Sequence, residues 1–299
     1  MEIRVLRYFL TVAREGSVTG AANFLHVTQP TLSRQIKDLE EELGVKLFVR
    51  GSHSVSLTPD GMRLRKRAEE LLELVEKTEA EFAVKEETIG GDIHIGGGET
   101  RIMRHLAMIM SEIREEYPGI RYHIHSGNSE DVTERLYKGL LDFGVLIQPA
   151  DLTKYDYVNL PEKDAWGVIT RKDSPLAAKR SIARQDLLGE PLLLSRQAIR
   201  RSTAKNEFLE WFKDDFEKMD VVGTFNLVYN AAILAEAGLG HIVSLDGLVN
   251  TTESGTLCFR LLEPRLETGL NIVWKKYQVF SPAAEVFLKR IQERFGGTQ

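Results

Sequence analysis

Cysteine is almost absent from this sequence, which has one, Cys258, in 299 residues. A single cysteine excludes an internal disulfide and is typical of a protein from a reducing compartment. Its neighbours Leu257 and Phe259 are apolar, so the pattern predicts a buried strand residue rather than a nucleophile.

Long hydrophobic runs are missing as well. A membrane-spanning helix needs about 18 or more consecutive apolar residues, and no such run occurs. The N-terminal segment carries Glu2 where a secretory signal would have basic residues, and its apolar pattern is interrupted. We therefore expect a cytoplasmic protein with no membrane partner.

Basic charge is in short supply. The chain has 39 Lys and Arg against 44 Asp and Glu, which gives a formal net charge of −5. That total argues against a nucleic-acid-binding protein, whose surface is usually basic. The acids are unevenly placed, however, because residues 1–58 hold 7 bases and 6 acids while residues 59–90 hold 6 and 9. The first segment therefore remains a candidate for binding nucleic acid.

What is present is the composition of a globular protein. Hydrophobic residues make up 42% of the chain and charged residues 28%, which excludes disorder over most of its length. The length itself is compatible with two or three domains.

The first 58 residues predict short helices followed by a β-hairpin. Thr19 is predicted to cap a second helix and Thr28 a third, which has Pro30 in its first turn and ends at Gly44. Strands are predicted over 46–50 and 53–57. The first helix places apolar side chains on one face, namely Leu6, Phe9, Leu10 and Ala13.

Two helices joined by a tight turn are the plan of the helix-turn-helix motif, whose second helix enters the DNA major groove. Helical geometry turns Leu32 and Ile36 inward and polar side chains outward. Glutamine can pair with adenine, arginine with guanine, and serine or threonine with base edges or phosphates. A small helical domain with an ordinary charged face is the alternative. The candidate DNA-binding residues are Gln29, Pro30, Thr31, Ser33, Arg34 and Lys37 on the helix, and Arg50, Ser52 and His53 at the hairpin tip.

A long fourth helix is predicted over 59–88, with Thr58 as its cap and Pro59 in its first turn. Its apolar residues recur in steps of four and three, a heptad pattern broken only at Thr78. This pattern favours a dimerising helix, and one amphipathic helix packed on its own domain is the alternative. The candidate dimerisation residues are Leu64, Ala68, Leu71, Val75 and Phe82.

A long, specific pattern runs through segment 4–60. It consists of Ser17, Ala21, Ala22, Leu25, the run 28–36, Leu39, Glu40, Leu43, Gly44, Leu47, Phe48, Arg50 and the run 58–61. On this pattern the segment resembles the N-terminal domain of LysR-type transcriptional regulators. The resemblance implies an N-terminal all-α winged helix-turn-helix (1–58), a long linker helix (59–88) and a two-lobed α/β effector domain of periplasmic-binding-protein type. It also implies a homodimer, paired into a homotetramer, that binds imperfect inverted repeats in double-stranded DNA and responds to a small-molecule effector.

Beyond residue 90, strands alternate with helices, which predicts a mostly parallel sheet and a second α/β unit from about Lys163. The family plan makes 91–162 plus 267–299 the first lobe and 163–266 the second, with hinge segments near 159–164 and 263–268. The segment 237–240 matches the family's glycine motif, but Leu245 stands where the family commonly has proline.

Ligands of open α/β sheets bind beyond the carboxyl ends of the strands, against helix N-termini. Free N–H groups there, with hydroxyl, amide and guanidinium side chains, suit a small anionic metabolite. Helix capping is the alternative role for each candidate residue, above all for Ser126, Ser129 and Asn226. Glu99 would repel an anion or pair with Arg101 or a cationic ligand group. The candidate ligand-binding residues are Gly98, Glu99, Thr100, Arg101, Ser126, Asn128, Ser129, Gln148, Ser195, Arg196, Asn226 and Tyr229, in loops that also hold Gly127, Gln197 and Phe225.

Enzyme motifs are weak. Gly96, Gly97 and Gly98 follow a strand, but Arg101 occupies the place of the dinucleotide fingerprint's third glycine. The pair His123 and His125 has no supporting zinc-ligand spacing, and no nucleophile elbow occurs. We expect no enzyme, cofactor or metal. A solute-binding protein is the alternative function, against which the first 88 residues argue.

Overall fold

The computed structural model describes residues 1–51, 54–83, 89–200 and 206–296, with the side chains of Arg50, Glu81 and Ala83 left out. The chain forms two compact units, Met1–Ala83 and Val84–Gln299. Among the described residues, none of the helices is both long enough and apolar enough to cross a membrane.

The first unit contains four helices and a hairpin: α1 (Ile3–Glu15), α2 (Val18–Phe24), α3 (Gln29–Leu43), β1 (Phe48–Arg50), β2 (Val55–Leu57) and α4 (Pro59–Ala83). One apolar cluster fills its centre, because Phe9 and Val12 of α1 meet Leu32 and Ile36 of α3 with almost no exposed surface. The predicted helices and hairpin are therefore present, and the part of α4 predicted over 84–88 lies outside the described residues.

The helix ends follow their capping residues, with one correction. Thr28 accepts a hydrogen bond from the Thr31 amide at the start of α3, and Gly44 ends that helix with a φ of 68°. The prediction that Thr19 caps α2 is wrong, because Ser17 occupies the cap and accepts from the Gly20 amide. Because the cap lies two residues earlier than predicted, α2 begins at Val18.

The start of α4 is fixed against the hairpin. Thr58 caps the helix through the Gly61 amide at 2.9 Å, and its hydroxyl donates to the Lys46 carbonyl at 2.6 Å. A Cβ atom at Gly61 would lie 2.1 Å from the Leu47 carbonyl oxygen, so only glycine permits this approach.

The second unit holds two sheets. The first lobe has the strand order β4 (Gly119–Ser126), β3 (Gly90–Gly97), β5 (Phe143–Ile147), β14 (Leu270–Lys275) and β6 (Tyr155–Asn159). Its helices are α5 (Met103–Glu116), α6 (Ser129–Tyr137) and α9 (Pro282–Phe295). Phe143, Ile272 and Phe287 are among the fully buried residues between this sheet and its helices.

The second lobe has the strand order β10 (Asp220–Phe225), β9 (Pro191–Ser195), β11 (His241–Leu245), β7 (Asp164–Arg171), β12 (Leu257–Glu263) and β8 (Ser181–Ala183). Its helices are α7 (Glu207–Phe212) and α8 (Val228–Glu236), with 3₁₀ turns at Pro175–Ala178, Arg184–Leu187 and Lys213–Lys218. Cys258 is buried in β12, as predicted.

The prediction of a mostly parallel sheet is confirmed, because all described strands but one in each lobe's sheet run in the same direction. In the first lobe β14 runs antiparallel to β5 and β6, and in the second lobe β7 runs antiparallel to β11 and β12. The reversed strand of the first lobe, β14, is the one with which the chain returns after leaving that lobe at the end of β6. The sequence pattern predicts one helix near 202–216, and the observed helix is shorter. Lys213 takes a left-handed φ of 51° and a 3₁₀ turn follows, while residues 201–205 lie outside the described chain.

Two passages connect the lobes, between Asn159 and Asp164 and between Glu263 and Leu270. They are hydrogen-bonded to each other, because the short strand β13 (Glu267–Thr268) pairs antiparallel with Asp164 and Ala165 at the start of β7. The predicted hinge segments fall in these passages.

Candidate functional site

The outer face of α3 carries the polar side chains that the sequence placed there. Gln29, Pro30, Thr31, Arg34 and Lys37 are exposed and Ser33 is half-buried, whereas Leu32 and Ile36 are buried beneath them. Thr28 fixes the first turn through the Thr31 amide, and its hydroxyl lies 2.7 Å from that of Thr31. The first two turns of α3 therefore present polar side chains to solvent.

The two cations of this face are weakly held. Arg34 is 83% exposed, with its Nε 3.8 Å from Asp38, and Lys37 lies 3.1 Å from Glu41. Exposed ion pairs one helical turn apart stabilise a helix by only a few tenths of a kcal/mol, so both cations can exchange these partners for a phosphate or a base edge.

Strands β1 and β2 form the hairpin predicted to act as a wing, in the register Phe48 with Leu57 and Arg50 with Val55. Of the wing residues, Ser52 and His53 lie outside the described residues, as does the side chain of Arg50. Their role in DNA binding stays a prediction.

A residue that sequence reasoning missed joins the hairpin to α3. The Glu40 carboxylate is buried and accepts hydrogen bonds from the Leu47 and Phe48 amides, at 2.9 and 3.3 Å, and from Lys46 at 2.7 Å. Burial raises the pKa of this carboxyl, but the three hydrogen bonds outweigh it and the net pKa is lowered. Its signal is positional, because Glu40 lies four residues after Ile36, at the edge of the apolar stripe.

The predicted seam on α4 divides into two parts. Ala68 is 0% exposed and Leu64 packs against the same core, so both belong to the unit's own interior. The prediction that Ala68 meets a partner is wrong for that reason. Further along, Leu71 is 39% and Phe82 86% exposed, and Leu74, Val75 and Phe82 line a shallow apolar surface.

In the second unit, a cleft lies between the two lobes. Six predicted residues line it, from loops of both lobes: Gly98, Glu99, Ser129, Gln148, Ser195 and Asn226. Gly127, Gln197 and Phe225 of the same loops also line it. The rule that ligand sites lie beyond the carboxyl ends of strands therefore leads to the loops that line this cleft, and their role in ligand binding stays a prediction.

Glu99 bridges the cleft. Its Oε2 accepts a hydrogen bond from the Val228 amide of the opposite lobe at 2.6 Å. Val228 is the first residue of α8, whose cap residue Leu227 has no side-chain acceptor to offer. A carboxylate at a helix N-terminus interacts favourably with the free N–H groups and the helix dipole. Glu99 therefore fills the position at which the sequence predicts a ligand anion.

Thr100 and Arg101 do not line the cleft, which corrects the prediction that Thr100 contacts the effector. The Thr100 hydroxyl is buried and donates to Asp164 at 2.5 Å. Arg101 donates to Asp246 at 2.9 Å, and its Nε lies 3.7 Å from Asp164. Burial raises the pKa of the Asp164 carboxyl, against the opposing effects of Thr100 and Arg101. These groups connect the lobes beside the hinge instead.

Four more predicted residues lie outside the cleft lining. Ser126 is exposed at the end of β4, and Asn128 caps α6 through the Asp131 amide. Arg196 is exposed, and Tyr229, at 71% exposure, points away because α8 offers the cleft its first residue only. Capping, the alternative weighed for such residues, is the observed role of Asn128.

The cleft also contains residues that sequence reasoning did not find. Trp166, Phe208 and Leu245 supply part of its apolar wall. Leu245 is the residue that replaces the family's proline, and it ends β11 with its side chain buried. Lining carboxylates are Glu99, Glu207 and Glu267, and the lining guanidinium of Arg200 forms an ion pair with Glu130.

The histidine pair considered for metal binding has other partners. His123 bonds to Asp92 at 2.9 Å and stacks on His94 with ring centroids 4.7 Å apart. His125 bonds to Asp131. Within the described ranges, no group of three or more metal-ligating side chains is assembled.

Comparison with known proteins divides the chain into two parts that correspond to the two structural units. The family model for the bacterial regulatory helix-turn-helix protein, lysR family, matches residues 3–62, and the model for the LysR substrate binding domain matches residues 86–296. The regulator YtlI of Bacillus subtilis is 31% identical over 99% of this chain and 94% of its own. The Hca operon transcriptional activator HcaR of Escherichia coli is 29% identical over 98% of each chain.

Solved structures agree on the fold. CbnR, a LysR family regulator solved with its target DNA, has a TM-score of 0.77 at 22% identity and covers 98% of this chain and 99% of its own. Full-length BenM has a TM-score of 0.51 at 26% identity and covers 100% and 99%.

A helix-turn-helix unit joined to a two-lobed substrate-binding domain defines a DNA-binding transcriptional regulator rather than an enzyme. The chain belongs to the LysR family of these regulators.

Proposed function

We propose that this regulator binds an imperfect inverted repeat as a homodimer, that dimers pair into a tetramer, and that a small metabolite in the inter-lobe cleft changes its activity on DNA. Because its DNA target lies in the cytoplasm, the proposal places the protein there. The observation that carries it is the capped helix α3, whose outward face is polar and weakly neutralised while its inward face fills the core.

Each residue of the α3 face has a role in this proposal. Gln29 and Arg34 are suited to bidentate pairing with adenine and guanine, and Thr31 and Ser33 to a base edge or phosphate. Lys37 and the wing residues Arg50, Ser52 and His53 are assigned to the DNA backbone. Since residues 1–58 hold only 7 bases, few phosphate contacts per subunit are available, and tight binding relies on dimerisation.

Dimerisation is assigned to the exposed part of α4. Leu71, Val75 and Phe82 lie at heptad spacing, and Leu74 extends the same apolar surface. Exposed side chains of this size on one face favour a second helix over water.

The effector is assigned to the cleft, where polar groups from both lobes meet an apolar wall. The sequence favours an anionic effector, but the Glu99 carboxylate already occupies the N-terminus of α8, where such an anion would bind. A ligand carboxylate must displace Glu99, whereas a cationic or hydrogen-bond-donating group can bind to it. In either case the ligand acts only through a difference in affinity between two lobe arrangements.

DNase footprinting of the purified protein on the DNA upstream of its own gene tests the proposal. We expect two protected half-sites about one or two helical turns apart with dyad symmetry, and a changed footprint when a metabolite raises the melting temperature. Protection without dyad symmetry, or indifference of the footprint to every stabilising metabolite, contradicts it.

A further inference from the structure

A second recess lies in the effector unit beside the hinge. Its charged lining, which we call the hinge pocket, consists of Arg101, Lys179, Arg180, Asp246, Arg260 and Arg265. The cleft and the hinge pocket share no lining residue. Arg101 comes from the first lobe, and Arg265 lies in the passage between the lobes.

The charge of the hinge pocket is opposite to that of the whole chain. Five cations line it against one carboxylate, in a protein whose formal net charge is −5. Like charges gathered in a recess repel each other, and low-dielectric walls strengthen that repulsion. Such a cluster is stabilised by an anion that binds among the cations.

Three of the five cations have carboxylate partners. Arg101 pairs with Asp246 at 2.9 Å, Lys179 with Asp186 at 2.7 Å, and Arg265 with Glu267 at 2.6 Å. Over the residues that the structure describes, neither Arg180 nor Arg260 has such a partner. At least two positive charges of the hinge pocket are therefore unneutralised.

Arg260 is held in place by backbone rather than by an acid. Its Nε and Nη2 donate to the Ala177 carbonyl at 3.0 and 2.6 Å, and its Nη1 donates to the Phe259 carbonyl at 2.9 Å. Three of its five N–H groups are thus used and two remain. A half-buried guanidinium fixed in this way is oriented in advance for a bidentate contact.

We infer that the hinge pocket binds a small anion carrying two or more negative charges, such as a phosphate ester or a polycarboxylate, held chiefly by Arg260 and Arg180. The site is distinct from the cleft and does not depend on the function proposed for it. An anion bound here also competes with Asp246 for Arg101, and so acts on a contact that joins the two lobes.

Titration calorimetry of the full chain with inorganic pyrophosphate, and separately with citrate, at constant ionic strength tests this inference. We expect saturable binding of at least one probe. Binding of pyrophosphate alone would identify the ligand as a phosphate compound, and binding of citrate alone would identify it as a polycarboxylate. Arg180→Gln should weaken binding about tenfold, the loss expected for one charge-assisted contact. Arg260→Lys, which keeps the charge and loses the fork, should weaken it as well.

Two controls locate the site. Lys289→Gln removes an equally positive side chain on α9, outside the hinge pocket, and should bind the probe like the parent chain. Asn226→Ala alters the cleft and should also leave the affinity unchanged. The inference is overturned by an absence of saturable binding to either probe, by equal affinity of the Arg180→Gln and Lys289→Gln variants, or by a loss of binding confined to Asn226→Ala.

Discussion

The Glu99 carboxylate of one lobe accepts a hydrogen bond from the Val228 amide of the other, with 2.6 Å between oxygen and nitrogen. The bond caps α8, which has no side-chain cap of its own. It also places the protein's own carboxylate where a ligand anion would bind. The contact between Glu99 and Val228 therefore couples the arrangement of the two lobes to the charge of the ligand that can bind between them.

Removing this contact should loosen the lobes and free the α8 N-terminus. Glu99→Ala is expected to lower the free energy of unfolding by about 1 kcal/mol, as loss of a helix cap does, and to strengthen binding of carboxylate ligands. Thermal melts with and without acetate and benzoate measure both effects. Glu207→Ala removes another cleft carboxylate and leaves the bond intact, so equal behaviour of the two variants contradicts the assignment.

Glu40 should stabilise the DNA-binding unit in a pH-dependent way. Glu40→Ala leaves two amides of the hairpin without their acceptor, which costs about 1–3 kcal/mol. Because the folded-state pKa of Glu40 is lowered, its contribution is full above the unfolded pKa and is lost as the pH falls through the folded value.

Urea unfolding at pH 7 and at about pH 3 measures this difference between Glu40→Ala and the parent chain. It should be large at pH 7 and small in acid. Glu41→Ala, an exposed neighbour on the same helix, should show little effect at either pH. A gap that stays constant with pH would show that Glu40 acts by packing and not as a carboxylate.

Asp92 should behave in the same sense within the effector unit. Two hydrogen bonds from Arg121 at 2.8 and 2.9 Å, against the effect of burial and with help from His123, lower the pKa of Asp92 to about 2. Stability from Asp92 is therefore present above the ordinary carboxyl pKa and disappears as the pH falls towards 2.

Asp92→Ala should reduce the free energy of unfolding by about 1 kcal/mol at neutral pH, a modest value because Arg121 is solvent-screened. The deficit should shrink as the pH falls from 4 to 2 in acid titrations followed by circular dichroism. Asp156→Ala, an exposed strand acid, provides the matched control. An Asp92→Ala deficit that grows on acidification has the wrong sign for this account.

The exposed part of α4 should hold the dimer. Leu71→Glu places a charge on the apolar surface and is expected to convert dimers to monomers, as measured by light scattering. Met62→Glu introduces the same charge at an exposed position of the same helix outside the seam. Dimers that survive Leu71→Glu at micromolar concentration would move the interface elsewhere.

Much of the fold followed from local sequence signals. Capping residues and apolar periodicity placed α3 and α4, since Thr28, Gly44 and Thr58 act over a few residues only. The one reversed strand in each sheet did not follow, because the direction of β7 and β14 depends on where the chain crosses between lobes. The same limit explains why the sequence pattern did not predict the strands β6, β8, β11 and β13.

The candidate site could likewise be predicted only in part from local sequence signals. The strand ends identify the loops that line the cleft, but they do not determine whether a given side chain of those loops points into the cleft or away from it. Thr100 turns towards buried Asp164, 64 positions away in sequence, and Ala68 turns towards the core of its own unit. Trp166 and Phe208 join the cleft through tertiary packing, which no local pattern reveals.

The central claim is that α3 reads DNA, and fluorescence anisotropy with the footprinted operator tests it most directly. Arg34→Ala should lose roughly 1–3 kcal/mol of specific binding and relax the preference at one base pair. Arg4→Ala removes an exposed arginine of α1 and should keep both affinity and base preference. Unchanged affinity and unchanged base preference for Arg34→Ala would contradict the assignment of α3 as the recognition helix.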